Sequence, residues 1–280
     1  MSRGPALTSL YRPITATPFK RSAAYTELPP PPALQPYIRC FWGTPEPIRA
    51  AEASADQPSL VIPDTCMDII FSLDYTHQTL FGRFCAMDEN AYPAYSEPSA
   101  ALCSTFAIRF YAWTAVLFAE RPLSGSRNQS FDAAAFFPSL CEQLIPMLTS
   151  VSSLSERARV ASLYLLQRLD TSRARSLLMN AVDSVINARG AIRVADLAAR
   201  NAVSRKQLER VFDEQIGVSP KAFASLVRYQ LLWQELCFGR DDHALDLVEK
   251  YGYFDQAHLL NDFKKRHAMT PSQALRFASE

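Results

Sequence analysis

Hydrophobic positions change their period as the chain proceeds. From Pro36 to about Pro98 they fall in short runs broken by turn residues, the habit of strands. In LVIPDTCMDIIFSLD, Leu60 to Ile62 is a short apolar run, Pro63 and Asp64 turn the chain, and Met67 to Leu73 is rich in β-formers. STFAIRFYAW, Ser104 to Trp113, predicts another strand. Beyond Leu123 the spacing becomes helical. FDAAAFFPSLCEQLIPML and LSERARVASLYLLQRLD both carry it, and Leu154, Ala158, Ala161 and Leu165 form one stripe. From Ser172 onward every segment reads as helix or helix connector. Ahead of the strands, LPPPPALQP (Leu28 to Pro36) predicts a stiff, mostly extended segment.

These periods predict an α+β chain: a flexible tail over 1–24, a mixed or β-rich N-terminal domain over 25–150, a helical connector over 151–174, and an all-α C-terminal domain over 175–280. A small barrel is one form the first domain can take. A length of 280 residues suits two domains, and 48% hydrophobic with 20% charged residues is the balance of a chain that buries a core. Phe110 to Ala119 is apolar but closed by Arg109 and Glu120, so no segment approaches the roughly 18 apolar residues of a membrane span. The first residues lack the apolar centre of a signal peptide, and a cytoplasmic protein is expected. The six cysteines are widely spaced and form no CxxC pair, so disulfides are not expected.

The C-terminal half contains one pattern twice. In VADLAARNAVSRKQLERVF, a short helix with Val194, Leu197 and Ala198 inward precedes a tight turn at Asn201 and Ala202. Ser204 caps the next helix, on which Leu208, Val211 and Phe212 face inward. LDLVEKYGYFDQAHLLNDF repeats this with Leu247 and Val248 inward, a turn at Gly252, the cap Asp255, and Leu259 and Phe263 packing. Each cap lies eight residues before the inward Phe, and the caps are 51 residues apart. Gly252 suits a positive φ, and Asn201 tolerates one better than most residues. PKAFASLVRYQLLWQELC, Pro220 to Cys237, predicts a long helix capped by Ser219, able to hold the two units rigidly. Two helix-turn-helix units so joined suit adjacent faces of the major groove, ~34 Å apart on one side of B-DNA.

Residues 175 to 280 resemble the AraC-type (AraC/XylS) DNA-binding domain, through LAARNAVSRKQLERVFDEQIGVSPKAF and YGYFDQAHLLNDFKKRHAMTPSQALR. That resemblance implies seven helices with two helix-turn-helix units and a sequence-specific transcription regulator, often an activator. It usually brings an N-terminal domain that binds an effector or mediates dimerisation. Residue by residue, Lys206, Glu209 and Arg210 fall where the first recognition helix reaches bases, with Arg205 beside them near phosphate. Gln256, Ala257, Leu260 and Asn261 are the matching positions in the second. Arg210 suits guanine, Glu209 cytosine, Gln256 adenine and Leu260 a thymine methyl. Asn261 stands where the family often carries Arg, so the second unit is expected to contribute less specificity. From Gly190 onward 13 Lys and Arg meet 12 Asp and Glu, so general attraction to phosphate is modest.

The piece from Pro36 to about Ala115 resembles an uncharacterised sensor-like domain found ahead of this module in a subgroup of the family. Trp42, Asp68 and Arg109 are candidates to line an effector pocket there; the competing reading is a structural ion pair beside a core Trp. Cys40, Cys66, Cys85 and Cys103 invite a metal or redox sensor against the alternative of small buried hydrophobes. No catalytic residues, cofactor or metal are expected. An enzyme joining this module to a methyl-accepting cysteine lacks its PCHR-type motif here, and GxSxG, HExxH and P-loop patterns are absent. The expected partners are double-stranded promoter DNA and RNA polymerase, with a small-molecule effector and a second copy of the chain as further candidates. The rival reading is a co-regulator that binds a protein and touches DNA poorly.

Overall fold

A computed structural model of the chain describes residues 11–19, 25–49, 59–94, 101–173, 176–239 and 244–279. Strands fill the first half of the described residues: β1 Thr26–Leu28, β2 Ile38–Gly43, β3 Ile48–Arg49, β4 Ser59–Val61, β5 Cys66–Asp74, β6 Thr79–Cys85, β7 Tyr92–Ala94, β8 Leu102–Tyr111 and β9 Ser130–Asp132. Helices fill the remainder: α1 Ala112–Ala115, α2 Pro138–Thr149, α3 Leu154–Arg168, α4 Ser176–Asn187, α5 Val194–Arg200, α6 Arg205–Ile216, α7 Pro220–Phe238, α8 Ala244–Lys250, α9 Gln256–His267 and α10 Pro271–Ser279. No helix among the described residues is long and apolar enough to cross a membrane.

The main sheet runs β1-β2-β8-β5-β6-β9, with β3 also on β8, while β4 and β7 make a separate ribbon. The barrel considered from the sequence is therefore, among the described residues, an open antiparallel sheet. Alternation on β8 sends Phe106, Ile108 and Phe110 into the core and leaves Ala107 and Arg109 on the opposite face. Phe41 and Phe71 flank Phe106 with ring centroids 5.9 and 6.4 Å away. Leu144 and Leu148 of α2 and the α3 stripe of Leu154, Ala158, Ala161 and Leu165 join this core. The expected connector helix thus closes the first domain. Arg157 sits on the same α3 face with no exposed surface: Nε donates to Leu148 O, Nη1 to Ser104 Oγ at 2.8 Å, and Nη2 to Val151 O at 3.0 Å and to the Tyr75 hydroxyl.

Three expectations meet tertiary packing that local pattern does not encode. The strand expected through Trp113 ends at Tyr111, where Ala112 N donates to Thr65 O and the Thr114 hydroxyl donates to Tyr37 O. Helix α1 starts there and turns Trp113 into a cluster with Tyr11, Tyr111 and Phe223. The proline segment folds as consecutive turns, Leu34 N donating to Pro31 O, which bury Leu34 completely. Residues 11–19, read as part of a flexible tail, are packed: Tyr11 is buried, and Pro13 O accepts from Arg39. The rest of that tail, 1–10 and 20–24, lies outside the described residues.

The C-terminal helices gather round α7. Phe212 of α6 meets Phe223 near its start, and Phe263 of α9 meets Tyr229 and Trp233 towards its end. The sheet domain holds this assembly at separated places. Leu123 N donates to Glu214 O on α6, Gln230 Nε2 on α7 donates to Pro63 O, Trp233 Nε1 donates to Thr15 O, and Ala91 N donates to Arg266 O on α9. Gly217 marks how close the first contact is, because a Cβ there would lie 2.5 Å from Ser126 Oγ and 2.6 Å from Leu123 O.

His267 is fully buried beside Trp233 and Phe263, its Nδ1 paired with the Tyr229 hydroxyl at 2.8 Å. Burial pushes its pKa down from 6.5 to about 4. The native state therefore holds fewer protons than the unfolded chain between these values, so stability is full above the unfolded pKa and falls as pH drops toward the folded one. Lowering pH from 7 to 5 is expected to remove about 2 kcal/mol by urea denaturation, a component that His267→Gln lacks. Arg157→Leu strands four acceptors, two of them buried and two half-buried, and is expected to cost on the order of 3 kcal/mol in the same assay. An unchanged urea midpoint would mean that those acceptors find other donors.

Candidate nucleic-acid interface

Each unit is built the same way up to its turn. After α5, Ala202 N donates to Ala199 O and Val203 N to Ala198 O; after α8, Gly252 N donates to Glu249 O and Tyr253 N to Val248 O. The residue two beyond each helix takes a positive φ, +53° at Ala202 and +64° at Gly252. Gly252 is as expected, but Asn201 lies at φ −98° and Ala202 carries the left-handed conformation instead. Asn201 has another task, since its side-chain amide donates to Leu197 O and closes α5.

The caps are those read from the sequence. Ser204 Oγ accepts from Gln207 N at 3.1 Å, and Asp255 Oδ1 accepts from His258 N at 2.7 Å. Leu208, Val211 and Phe212 are buried under α6, and Leu259 and Phe263 under α9. The opposite sides are free: Arg205, Lys206 and Arg210 are exposed and Glu209 partly so, and Gln256, Ala257, Leu260 and Asn261 are exposed on α9. All eight candidate DNA-contacting positions therefore lie outward on two helices whose first turns are open to solvent. Arg205 Nε rests 2.9 Å from Glu209 Oε1, and Arg210 Nε only 3.9 Å from Glu214 Oε1. Exposed pairs of this kind hold their partners weakly, by about 0.3–0.5 kcal/mol, and yield to phosphate or guanine at little cost.

The three candidate effector residues also meet. Asp68, Arg109 and Cys40 stand in one register row across β5, β8 and β2, with Cys85 beside Asp68 on β6. Arg109 donates to Asp68 Oδ1 at 3.0 Å and Oδ2 at 3.1 Å, Trp42 Nε1 donates to Oδ1 at 2.7 Å, and the guanidinium lies 5.7 Å from the Trp42 ring centre. The carboxylate is thus already satisfied from two sides. Neighbours that the sequence did not single out include Tyr25, whose ring lies 5.4 Å from that of Trp42, together with Asp64 and Asp88. Burial raises both acids, Asp88 to about 6. Alternation on β2, β5, β6 and β8 was the signal that could have grouped Cys40 and Cys85 with the pair. Burial pushes both thiols up to about 12, which keeps them protonated at neutral pH and poor as redox or metal ligands. Among the described residues no group of three or more His, Cys, Asp or Glu is placed to hold a metal ion. A cleft of about 240 Å³ opens elsewhere, between α1, α2 and α3, lined by Phe118, Glu120, Tyr164, Arg168 and Arg173. None of Trp42, Asp68 and Arg109 lines it.

Two families match the chain. Residues 197–276 match the family described as a helix-turn-helix domain, and residues 26–132 match one described as a domain of unknown function (DUF6597). No curated protein sequence matches. Among solved structures, the chain is similar to the C-terminal domain of AraT, a response regulator from Geobacillus stearothermophilus, at 19% identity over 37% of this chain and 86% of that one, with a TM-score of 0.35. It is similar to a probable AraC family transcriptional regulator from Rhodopseudomonas palustris at 27% identity over 35% and 97%, TM-score 0.30. Its similarity to unsaturated fatty acid bound ToxT from Vibrio cholerae is 8% identity over 84% and 94%, TM-score 0.41. The chain thus carries a helix-turn-helix domain at residues 197–276 and, ahead of it, a domain of unknown function at residues 26–132.

Proposed function

We propose that the chain is a sequence-specific regulator of transcription that reads promoter DNA with α6 and α9 and answers to a signal received by its sheet domain. The observation that carries this reading is the pair of open reading helices, each backed by a buried Phe and both seated on α7. Arg205, Lys206, Glu209 and Arg210 serve the first contact and Gln256, Ala257, Leu260 and Asn261 the second. We divide the function into a receiving domain over 25–150, the helical connector over 151–174 that packs back on it, and the DNA-binding domain over 175–280.

Support for control by the first domain comes from its contacts. It bonds to α6 through Leu123, to α7 through Pro63, and to α9 through Ala91, so a rearrangement of the sheet domain reaches both reading units. We place the effector-responsive surface at Trp42, Asp68 and Arg109, where an incoming small molecule competes for groups that now satisfy each other. RNA polymerase and a second copy are the protein partners this function calls for. Leu163 and Leu166 on α3 and Met147 on α2 are exposed apolar positions open to that copy.

Binding of the full chain to a labelled fragment of its own upstream promoter, with excess non-specific DNA at physiological salt, tests the reading. Selective binding is expected, and Arg210→Ala is expected to weaken it roughly 5- to 150-fold, the range of one bidentate Arg–guanine contact. Absence of selective binding by the wild type moves the assignment to a co-regulator that acts on a protein. Asp68→Asn is expected to lower stability by about 2 kcal/mol through weakened charge-assisted hydrogen bonds, and to change promoter affinity although it stands on neither reading helix. Unchanged affinity would leave Asp68 and Arg109 a structural pair.

A further inference from the structure

The two turns differ in length. Tyr253 occupies the place of Val203, each donating its N–H back to the preceding helix, at 2.9 and 3.1 Å. Ser204 then caps α6 directly, whereas in the second unit one further residue, Phe254, precedes the cap Asp255. That added side chain is 90% exposed, the most exposed large hydrophobic among the described residues. The backbone beneath it is held in place. Phe254 N–H donates to His258 Nδ1 at 3.2 Å, and the His258 ring lies edge-on against buried Tyr253 at 5.2 Å.

Along α9 the outward side continues this character. Phe254, Ala257 and Leu260 follow at a spacing of three, all exposed, Leu260 at 39%. The first two turns of α9 present no outward Lys or Arg; Lys264 and Lys265 come later, where phosphate is the natural partner. On α6 the corresponding side carries Arg205, Lys206, Glu209 and Arg210. One unit is equipped for hydrogen-bonded readout and the other is not. The apolar group that B-DNA offers in its major groove is the thymine C5-methyl, and Gln256 on the same turn can pair with the adenine opposite it.

We propose that α9 reads thymine methyl groups, with Phe254 as its principal specificity residue and Leu260 and Ala257 beside it, so that the half-site under the second unit is rich in A·T pairs. This rests on the DNA-binding reading above and assigns the chemistry of one of its two contacts. A protein partner is the other class of occupant for an exposed Phe. Its position one residue before the cap of α9, ahead of exposed Gln256, Ala257 and Leu260, favours DNA.

The test uses the full-length chain. Sites are selected from a random duplex pool, and each thymine in the half-site away from the Arg210 contact is replaced by deoxyuridine, which removes only the methyl. Wild-type affinity is expected to fall about fourfold for each contacted methyl lost, the worth of one buried methyl-sized group. Phe254→Ala is expected to bind thymine and uracil duplexes nearly alike while remaining sensitive to the guanine under Arg210. Because the substitution on the DNA side leaves the protein untouched, a folding defect cannot imitate the result. Equal wild-type affinity for thymine and uracil duplexes overturns the proposal and leaves the DNA-binding reading standing. So does a Phe254→Ala chain that keeps full thymine preference, or one that binds DNA normally but no longer associates with a protein partner. Selection of no sequence at all overturns both.

Discussion

Gln230 is a primary amide with no exposed surface in the middle of α7, and its hydrogen-bonding demands organise the molecule. A buried amide must find partners for its oxygen and its nitrogen or forfeit the cost of removing them from water. Gln230 finds all of them outside its own domain: Oε1 accepts from Ile14 N at 2.9 Å, and Nε2 donates to Pro63 O at 2.8 Å and to Ile14 O. Trp233, one turn further, donates to Thr15 O. The helix that carries both reading units is therefore also the helix to which the sheet domain and residues 11–19 are fastened. The two units dock on α7 at Phe223 and at Tyr229 and Trp233, positions only ~9–15 Å apart along the helix, so one rigid element fixes both at once.

That one scaffold presents two unlike faces. The near balance of acidic and basic residues from Gly190 onward leaves little general attraction to phosphate, so discrimination must come from side chains at base edges. On α6 these side chains are charged and loosely tethered to neighbouring glutamates, ready to exchange one partner for another. On α9 they are short or apolar, and the turn ahead of them is one residue longer. The repeat preserves what folding needs, a cap, a turn and an inward Phe, and varies what recognition needs.

How much of this was legible follows from the range of the forces involved. The stripe of Leu154, Ala158, Ala161 and Leu165, the caps Ser204, Asp255 and Ser219, and the start of α7 at Pro220 are set within a few residues of chain, and they stand in the structure where the pattern places them. Trp113 was read as strand because its neighbours are β-formers, but two aromatic rings from distant segments, Tyr11 and Phe223, hold it in α1. Arg157 reads as a surface charge in LSERARV, although its position three after Leu154 and four before Ala161 puts it on the buried stripe. Asp68 and Arg109 were legible as candidates, and either role proposed for them required that they meet. Only the register of β5 on β8 decides that they do. Phe254 was invisible while the two units were aligned by their caps, since the extra residue appears only when they are aligned by the hydrogen bonds of their turns.

The seam between the domains sets how a signal can act. Contacts to α6, α7 and α9 are made by different segments of the first domain, around residues 123, 63 and 91. Because Gly217 leaves no room for a Cβ against Ser126 and Leu123, the contact at α6 is close-packed, and such surfaces switch between discrete arrangements more readily than they stretch. The contact at α9 is of another kind, a reciprocal exchange in which Ala91 N donates to Arg266 O and the Arg266 guanidinium donates to Glu89 O. Asp88, raised by burial to about 6, adjoins that exchange. The ribbon of β4 and β7 is packed here as well: Ile62, with Leu60 and Ala91 against the same cluster, joins Tyr229, Trp233, Leu259 and Phe263. On the function proposed above, a signal received at β4 and β7 would reach α9 by a route separate from the joint that Leu123 and Ser126 make with α6.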